Sequence, residues 1–212
     1  MKPIAALALS LLLLAGCHRI VVEIPEASLA GRPTGPRVGL VHVRDSRPHR
    51  ERLGSVGFER YDVRPVPADL FNLALRTALE ERGCLVGEMA DPEGMKEDAL
   101  RAFLRKHRLR SVLRAEIVDF TIDGWDTTFA RSALTTKLAL RVFRTDGEPV
   151  DQTIWHVQKR WVGRYVFWGE EGQVERLTRD AVLGTVRKGL SSSAIVEAIG
   201  LDSAGSQGGK SP

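Results

Sequence analysis

Apolar and polar positions change period several times along this chain, and each period predicts an element. Val38-Gly39-Leu40-Val41-His42-Val43 is a short Val-rich run bounded by turn formers, which predicts a first strand. Arg44 through Gly57 lacks a period and reads as a long loop, with a small hairpin around Tyr61. From Pro67 the period becomes helical: Leu70, Phe71, Ala74, Leu75, Ala78 and Leu79 share one face, with Arg76, Glu80 and Arg82 outside it. Pro67 near the start and Gly83 just past the end punctuate that helix. Cys84 to Val86 predicts a second short strand, and Glu97 to Lys106 a second helix with Leu100, Phe103 and Leu104 inward.

Three long strands are expected next, over Ser111 to Ile122, Ser132 to Arg144 and Val150 to Val162. The middle one alternates, Leu134, Leu138, Leu140 and Val142 opposing Lys137, Ala139 and Arg141, so one side is buried and the other solvated. Asp146-Gly147 between the last two is a hairpin signal, which makes the three an antiparallel meander. A closing helix spans Glu171 to Leu190, and Ile195, Val196 and Ile199 extend it after a break at the serines. These elements predict an α/β, α+β-like single domain. Its sheet is mixed or mainly antiparallel, with three long C-terminal strands and about three packed helices.

The N-terminus carries a separate signal. Lys2 precedes an apolar run from Ile4 to Leu14, followed by Leu14-Ala15-Gly16-Cys17. A basic start, a short apolar stretch and small residues before a cut are the parts of a secretory signal peptide. The run is too short for a membrane span, which needs about 20 apolar residues. A cysteine directly after the small pair resembles the lipobox of bacterial lipoproteins, in which the cysteine becomes the acylated N-terminus. Two or three acyl chains on one residue anchor a protein stably, where one alone gives only marginal residence. The expected organisation is a signal peptide over 1–16, a lipidated N-terminus and tether over 17–37, the domain over 38–200 and a disordered tail over 201–212. The tether reading rests on Pro25, Gly31, Pro33, Gly35 and Pro36, and the tail on its Ser-Gln-Gly-Gly-Lys-Ser-Pro ending.

Composition adds little to this and excludes some classes. The chain has 43% hydrophobic and 27% charged residues among 212, ordinary for a folded protein. Its net charge of +4 falls to +3 when Lys2 leaves with the leader, and Arg is interleaved with Asp and Glu throughout. A nucleic-acid partner is therefore not indicated. With Cys17 acylated, Cys84 has no partner for an intramolecular disulfide, and a lone cysteine at a helix-to-strand junction reads as a small hydrophobe.

The order of these elements is similar to that of YajG-type bacterial lipoproteins. The residues that carry the resemblance are the lipobox, the helix Asp69 to Arg82 ending in Arg-Gly before a strand, Val118-Asp119-Phe120, and Ala139-Leu140-Arg141-Val142 with its Asp-Gly turn and closing helix. The resemblance implies a lipid-anchored envelope protein with no established reaction.

Candidate chemistry is sparse. His42 and His49 flank Asp45, but no His pair has the spacing of helical zinc ligands. No Gly-x-Ser-x-Gly elbow occurs, Ser191-Ser192-Ser193 reads as a helix end, and Gly209-Lys210-Ser211 lacks the upstream glycine and following helix of a phosphate loop. Asp45 and Arg47, just after the first strand, are the most suggestive polar pair; a loop-ordering ion pair is the favoured reading and a polar site the alternative. Tyr165, Phe167 and Trp168 are candidate docking aromatics, whereas Trp155, Val157 and Trp161 share one parity and read as core under the last helix, with a docking surface as the alternative.

The expectation is thus a non-catalytic lipoprotein with no metal and no cofactor beyond the covalent lipid on Cys17. In the lipoproteins that the lipobox resembles, an Asp after the cysteine signals inner-membrane retention, so the resemblance with His18 in that place implies the periplasmic side of the outer membrane. Its role would be an accessory or binding subunit of an envelope protein complex, with an oligomer compatible. Alternatives are an auxiliary lipoprotein of a lipid or secretion transporter, and an envelope enzyme or small-ligand binder using the loop Asp45 to Gly57.

Overall fold

The computed structural model describes residues 17–25, 34–50, 52–56, 59–124, 131–144, 148–161 and 172–201. The expected signal peptide over 1–16, all but Leu201 of the tail expected over 201–212, and the docking candidates Tyr165, Phe167 and Trp168 lie outside them. The described elements are, in order, β1 (Cys17–Val21), β2 (Arg37–Val41), β3 (Arg44–Asp45), β4 (Arg52–Val56), β5 (Glu59–Arg64), α1 (Pro67–Glu80), β6 (Leu85–Met89) and α2 (Glu97–Lys106). They are followed by β7 (Ser111–Gly124), β8 (Arg131–Arg144), β9 (Val150–Trp161), α3 (Gln173–Leu190) and α4 (Ser193–Ile199).

All nine strands join one mixed sheet organised around β7. On one side of β7 the antiparallel meander β7-β8-β9 forms as the alternation predicts. On its other side, the segment from β2 to β4 runs parallel to β7 in three contacts: Val38 to Leu40 along Ser111 to Leu113, Arg44 and Asp45 along Glu116 and Ile117, then Gly54 to Val56 along Ile122 to Gly124. β6 adds in parallel outside β2, while β5 and β1 add outside β4. The loop expected over Arg44 to Gly57 is therefore half sheet, since β3 and β4 take seven of its fourteen residues. Gly54 has a φ of +132° where the pairing of β4 with β5 shifts register. A Cβ there would come within 2.3 Å of the Ile122 carbonyl oxygen, so this close approach to β7 needs glycine.

Helices α1, α3 and α4 cover one face of the sheet. Phe71 of α1 meets Phe120 of β7 edge to face at 5.3 Å, and Val38, Leu40, Leu113, Ile117, Leu134 and Leu138 complete the floor of this main core. α2 packs on the opposite face, where Leu100 and Leu104 meet Val41, Val112 and Phe143. The alternation of strand side chains allows both clusters: even positions of β2 serve one core and Val41 the other. The closing apolar stretch is a fourth helix, α4, one more than expected, because the chain turns at Ser191 and Ser192 before resuming.

Two further expectations are corrected. Residues 17–37 do not form a tether throughout, since β1 pairs with β5 from Cys17↔Arg60 to Val21↔Arg64 and places Ile20, Val22 and Ile24 in the main core. The prolines that suggested a tether come after this alternating run. Trp155 is also not core. Leu138 faces the helices and pairs with Ile154, so the register buries Ile154 and sends Trp155 to the open face, 57% exposed.

Candidate functional site

Arg47 reaches back onto Asp45 in a bidentate pair, Nε to Oδ1 at 2.9 Å and Nη2 to Oδ2 at 2.7 Å, while its backbone N–H donates to Oδ1 at 3.1 Å. The rest of the guanidinium serves the backbone. Nη1 donates to the carbonyls of Phe120 (2.6 Å) and Arg52 (3.0 Å), and Nη2 to that of Arg50 (2.8 Å). These bonds use all five guanidinium N–H groups. The pair sits where β7 passes from its contact with β3 to its contact with β4, so the guanidinium satisfies backbone groups that the ladder leaves open there. Both side chains are buried, at 2% exposure for Asp45 and 8% for Arg47. The guanidinium also lies 5.5 Å over the Phe120 ring. Sequence reasoning found this pair; the geometry makes it a cross-link of the sheet with no donor left for a ligand.

A second arginine network was not legible in the sequence. On the open face, Arg114 of β7 and Arg141 of β8 stand opposite each other in register, and Asp151 of β9 stands opposite Arg141. Arg141 grips Asp151 through two bonds of 2.6 and 2.8 Å. Arg114 pairs with Glu93, with Asp91 at 3.3 Å and with Glu116 at 3.9 Å, and Glu93 also reaches Arg141 at 3.6 Å. The loop between β6 and α2 that supplies Asp91 and Glu93 lies about 20 residues from Arg114 in sequence, and no local pattern signals their meeting. Glu93, Arg114, Glu116, Arg141 and Asp151 line a groove of about 310 Å³ with Gln152. The hydrogen bond from Arg114 holds Glu93 below the usual carboxylate range, and that from Arg141 does the same for Asp151. Both carboxylates are thus charged at neutral pH. The groove offers paired charges for binding rather than a group poised to exchange a proton.

Along the same face, Lys137 lies 5.5 Å over the ring of Trp155, its cross-strand neighbour, and Val157 is also exposed. On the other face His156 packs against Gly184 of α3, where a Cβ would come within 2.7 Å of its Nε2. His42 stands 3.3 Å from Asp69, and the Asp45 carboxylate is taken by Arg47. Burial pushes the Cys84 thiol up to about 11 against the opposing charge of Arg82. Among the described residues, no three His, Cys, Asp or Glu side chains cluster as metal ligands, and no helix is long and apolar enough to cross a membrane.

By sequence the chain matches no protein-family model and no curated protein. By structure it is similar to protein XCC0632 from Xanthomonas campestris, of the DUF330 family model, at 9% identity and a TM-score of 0.55, over 85% of this chain and 96% of that one. At this identity the likeness is one of fold: the mixed α/β architecture recurs in a natural bacterial protein. Solved structures with weaker likeness include a minor lipoprotein from Acinetobacter baumannii (10% identity, TM-score 0.40, 76% and 92% of the two chains) and lipoprotein GNA1162 from Neisseria meningitidis (14%, 0.35, 74% and 100%).

Proposed function

We propose that this protein is a bacterial lipoprotein, acylated on Cys17 and held on the periplasmic side of the outer membrane, where it acts as a non-catalytic accessory or binding subunit of an envelope complex. The observation that carries the reading is the run Leu14-Ala15-Gly16-Cys17 behind a short apolar leader, placed immediately before the first strand of the folded domain. Cleavage before Cys17 would leave the whole sheet intact. The resemblance to YajG-type lipoproteins belongs to the same proposal. A binding role suits the open sheet face, whose charges are paired with one another and whose Trp155 is exposed. The loop from Asp45 is the weaker choice as a ligand site, because Arg47 is spent on the backbone.

Replacing Cys17 with Ser tests the anchor. The wild-type protein is expected in the membrane fraction with an acylated N-terminus by mass spectrometry, and Cys17→Ser in the soluble periplasmic fraction. Continued membrane residence of the variant, or an unmodified start in the native protein, would overturn the reading. Affinity capture of the lipidated form from intact envelopes should recover a stoichiometric envelope protein if the accessory role is right; recovery of the protein alone counts against it.

A further inference from the structure

β9 is an edge of the sheet: among the described residues its one strand neighbour is β8, so one side of its 12-residue backbone has no ladder. The Trp155 carbonyl shows which groups lie on that side. It accepts a hydrogen bond of 2.8 Å from Lys188 Nζ of α3, and so points away from β8. Backbone groups alternate in direction along an antiparallel strand, which turns the N–H and C=O of Asp151, Thr153 and Val157 outward with those of Trp155. From Asp151 to Val157 this row spans about 20 Å, at about 3.4 Å per residue.

Beside the edge runs a groove of about 560 Å³. Gln152 to Trp155 form one wall, and Lys188 with Ser191 to Ser193, where the chain turns from α3 into α4, form the other. Two of these side chains have capacity for a ligand. Gln152, which shares the helix-covered face with its cross-strand neighbour Leu140, has a buried Oε1 with no hydrogen-bond partner. Lys188 is exposed, and its ammonium is held on a neutral carbonyl. On the opposite face of the same edge, Trp155 and Val157 remain exposed.

From this placement we infer that the outer edge of β9 is a docking site for an extended acidic segment of a partner protein, which adds to the sheet as a further strand. A peptide backbone matches N–H and C=O groups that recur at every second residue. Alternate side chains of the segment then lie beside Trp155 and Val157, and the others turn into the groove. The Trp155 carbonyl accepts from a backbone N–H of the segment, and the Lys188 ammonium it releases meets a Glu or Asp on the groove side. A hydrogen-bond donor opposite Gln152 satisfies its Oε1. A second copy of this chain fits less well, because a twofold pairing of two β9 strands about Trp155 sets the two Lys188 ammoniums against each other. The inference rests on the proposed binding role and gives that role a place and a partner chemistry.

A random nine-residue peptide library displayed on phage, panned against the full chain in detergent micelles, tests this. The expected result is enrichment of segments in which apolar and polar residues alternate, with Glu or Asp on the polar side. Thr153→Pro removes an outward N–H and no bond to β8, so the variant should melt close to the wild type. It should also weaken the enriched peptides by more than about tenfold. Val157→Pro makes the same test if Thr153→Pro is poorly folded. Lys188→Glu should reverse the preference and select Lys or Arg on the polar side. No enriched peptide, undiminished binding to a folded proline variant, or an unchanged acidic preference in Lys188→Glu would each overturn the proposal. A wild-type dimer in sedimentation that Thr153→Pro dissociates would assign the edge to a second copy and overturn the acidic partner. An envelope protein recovered by affinity capture and bound equally well by Thr153→Pro would overturn this site and leave the accessory role standing; recovery of the protein alone, with no enriched peptide, would remove both.

Discussion

Two arginine–carboxylate networks flank β7, and they differ in what surrounds them. The Asp45–Arg47 pair is buried, and its guanidinium also bonds three backbone carbonyls. The Arg114–Arg141 network lies on the open sheet face, with Asp151 56% exposed and Glu93 49% exposed. Similar pairs therefore have different consequences. In the buried network, removing the arginine strands a charge and leaves carbonyls unsatisfied, so the pair is a condition of the local fold. In the exposed network water and salt replace a lost partner, so the charges are available to meet something else.

The largest expected effect is that of Arg47→Ala, which should destabilise the protein by about 3–5 kcal/mol in chemical denaturation, because Asp45 stays buried without its partner. A loss under about 1 kcal/mol would erase the contrast. Arg47→Lys should recover little, since an ammonium cannot span the carboxylate and the carbonyls of Arg50, Arg52 and Phe120 at once. Arg114→Ala is expected to be intermediate, about 1–2 kcal/mol, as Arg114 is itself only 10% exposed while its partners face water. Asp151→Asn should cost at most about 1 kcal/mol and less in high salt; a cost matching that of Arg47→Ala would place both networks in one class.

The pH dependence sharpens the same comparison. Glu93 and Asp151 have folded-state pKa values below their ordinary ones, so their contribution is present above about pH 4 and is lost as the pH falls through the lowered values. Thermal melts of the wild type should thus show a fall in Tm on acidification below about pH 4, and Asp151→Asn should show a shallower one. The smallest effect concerns Cys84, whose raised thiol pKa predicts negligible reaction with a thiol reagent at neutral pH until the protein unfolds. Rapid labelling of the native protein would show that the junction between α1 and β6 opens.

Much of the fold was legible because its elements obey local periods. α2 spans the residues the helical pattern predicted, and the strands β7, β8 and β9 agree with the sequence reading to within two residues at each end. β1 was hidden because Arg19 to Ile24 alternates for only six residues beside a cluster of prolines and glycines, and composition outweighed period. The strands β3 and β4 were hidden for a related reason: two- and five-residue strands broken by Arg47 and Gly54 show no alternation of their own and are held by β7. The Asp45–Arg47 pair was visible because its members are two residues apart. The Arg114 network was not, since its carboxylates come from a loop, β7 itself and, through Arg141, β9.

The amino-acid order by itself determined the helices and the long meander, because helical faces and strand alternation are written within a dozen neighbouring residues. Only the tertiary structure decided that Cys17 opens a strand, that Trp155 faces outward and that Arg47 braces β7. Each of those depends on which distant strand lies alongside and in what register, and a shift of one residue would exchange one face for the other.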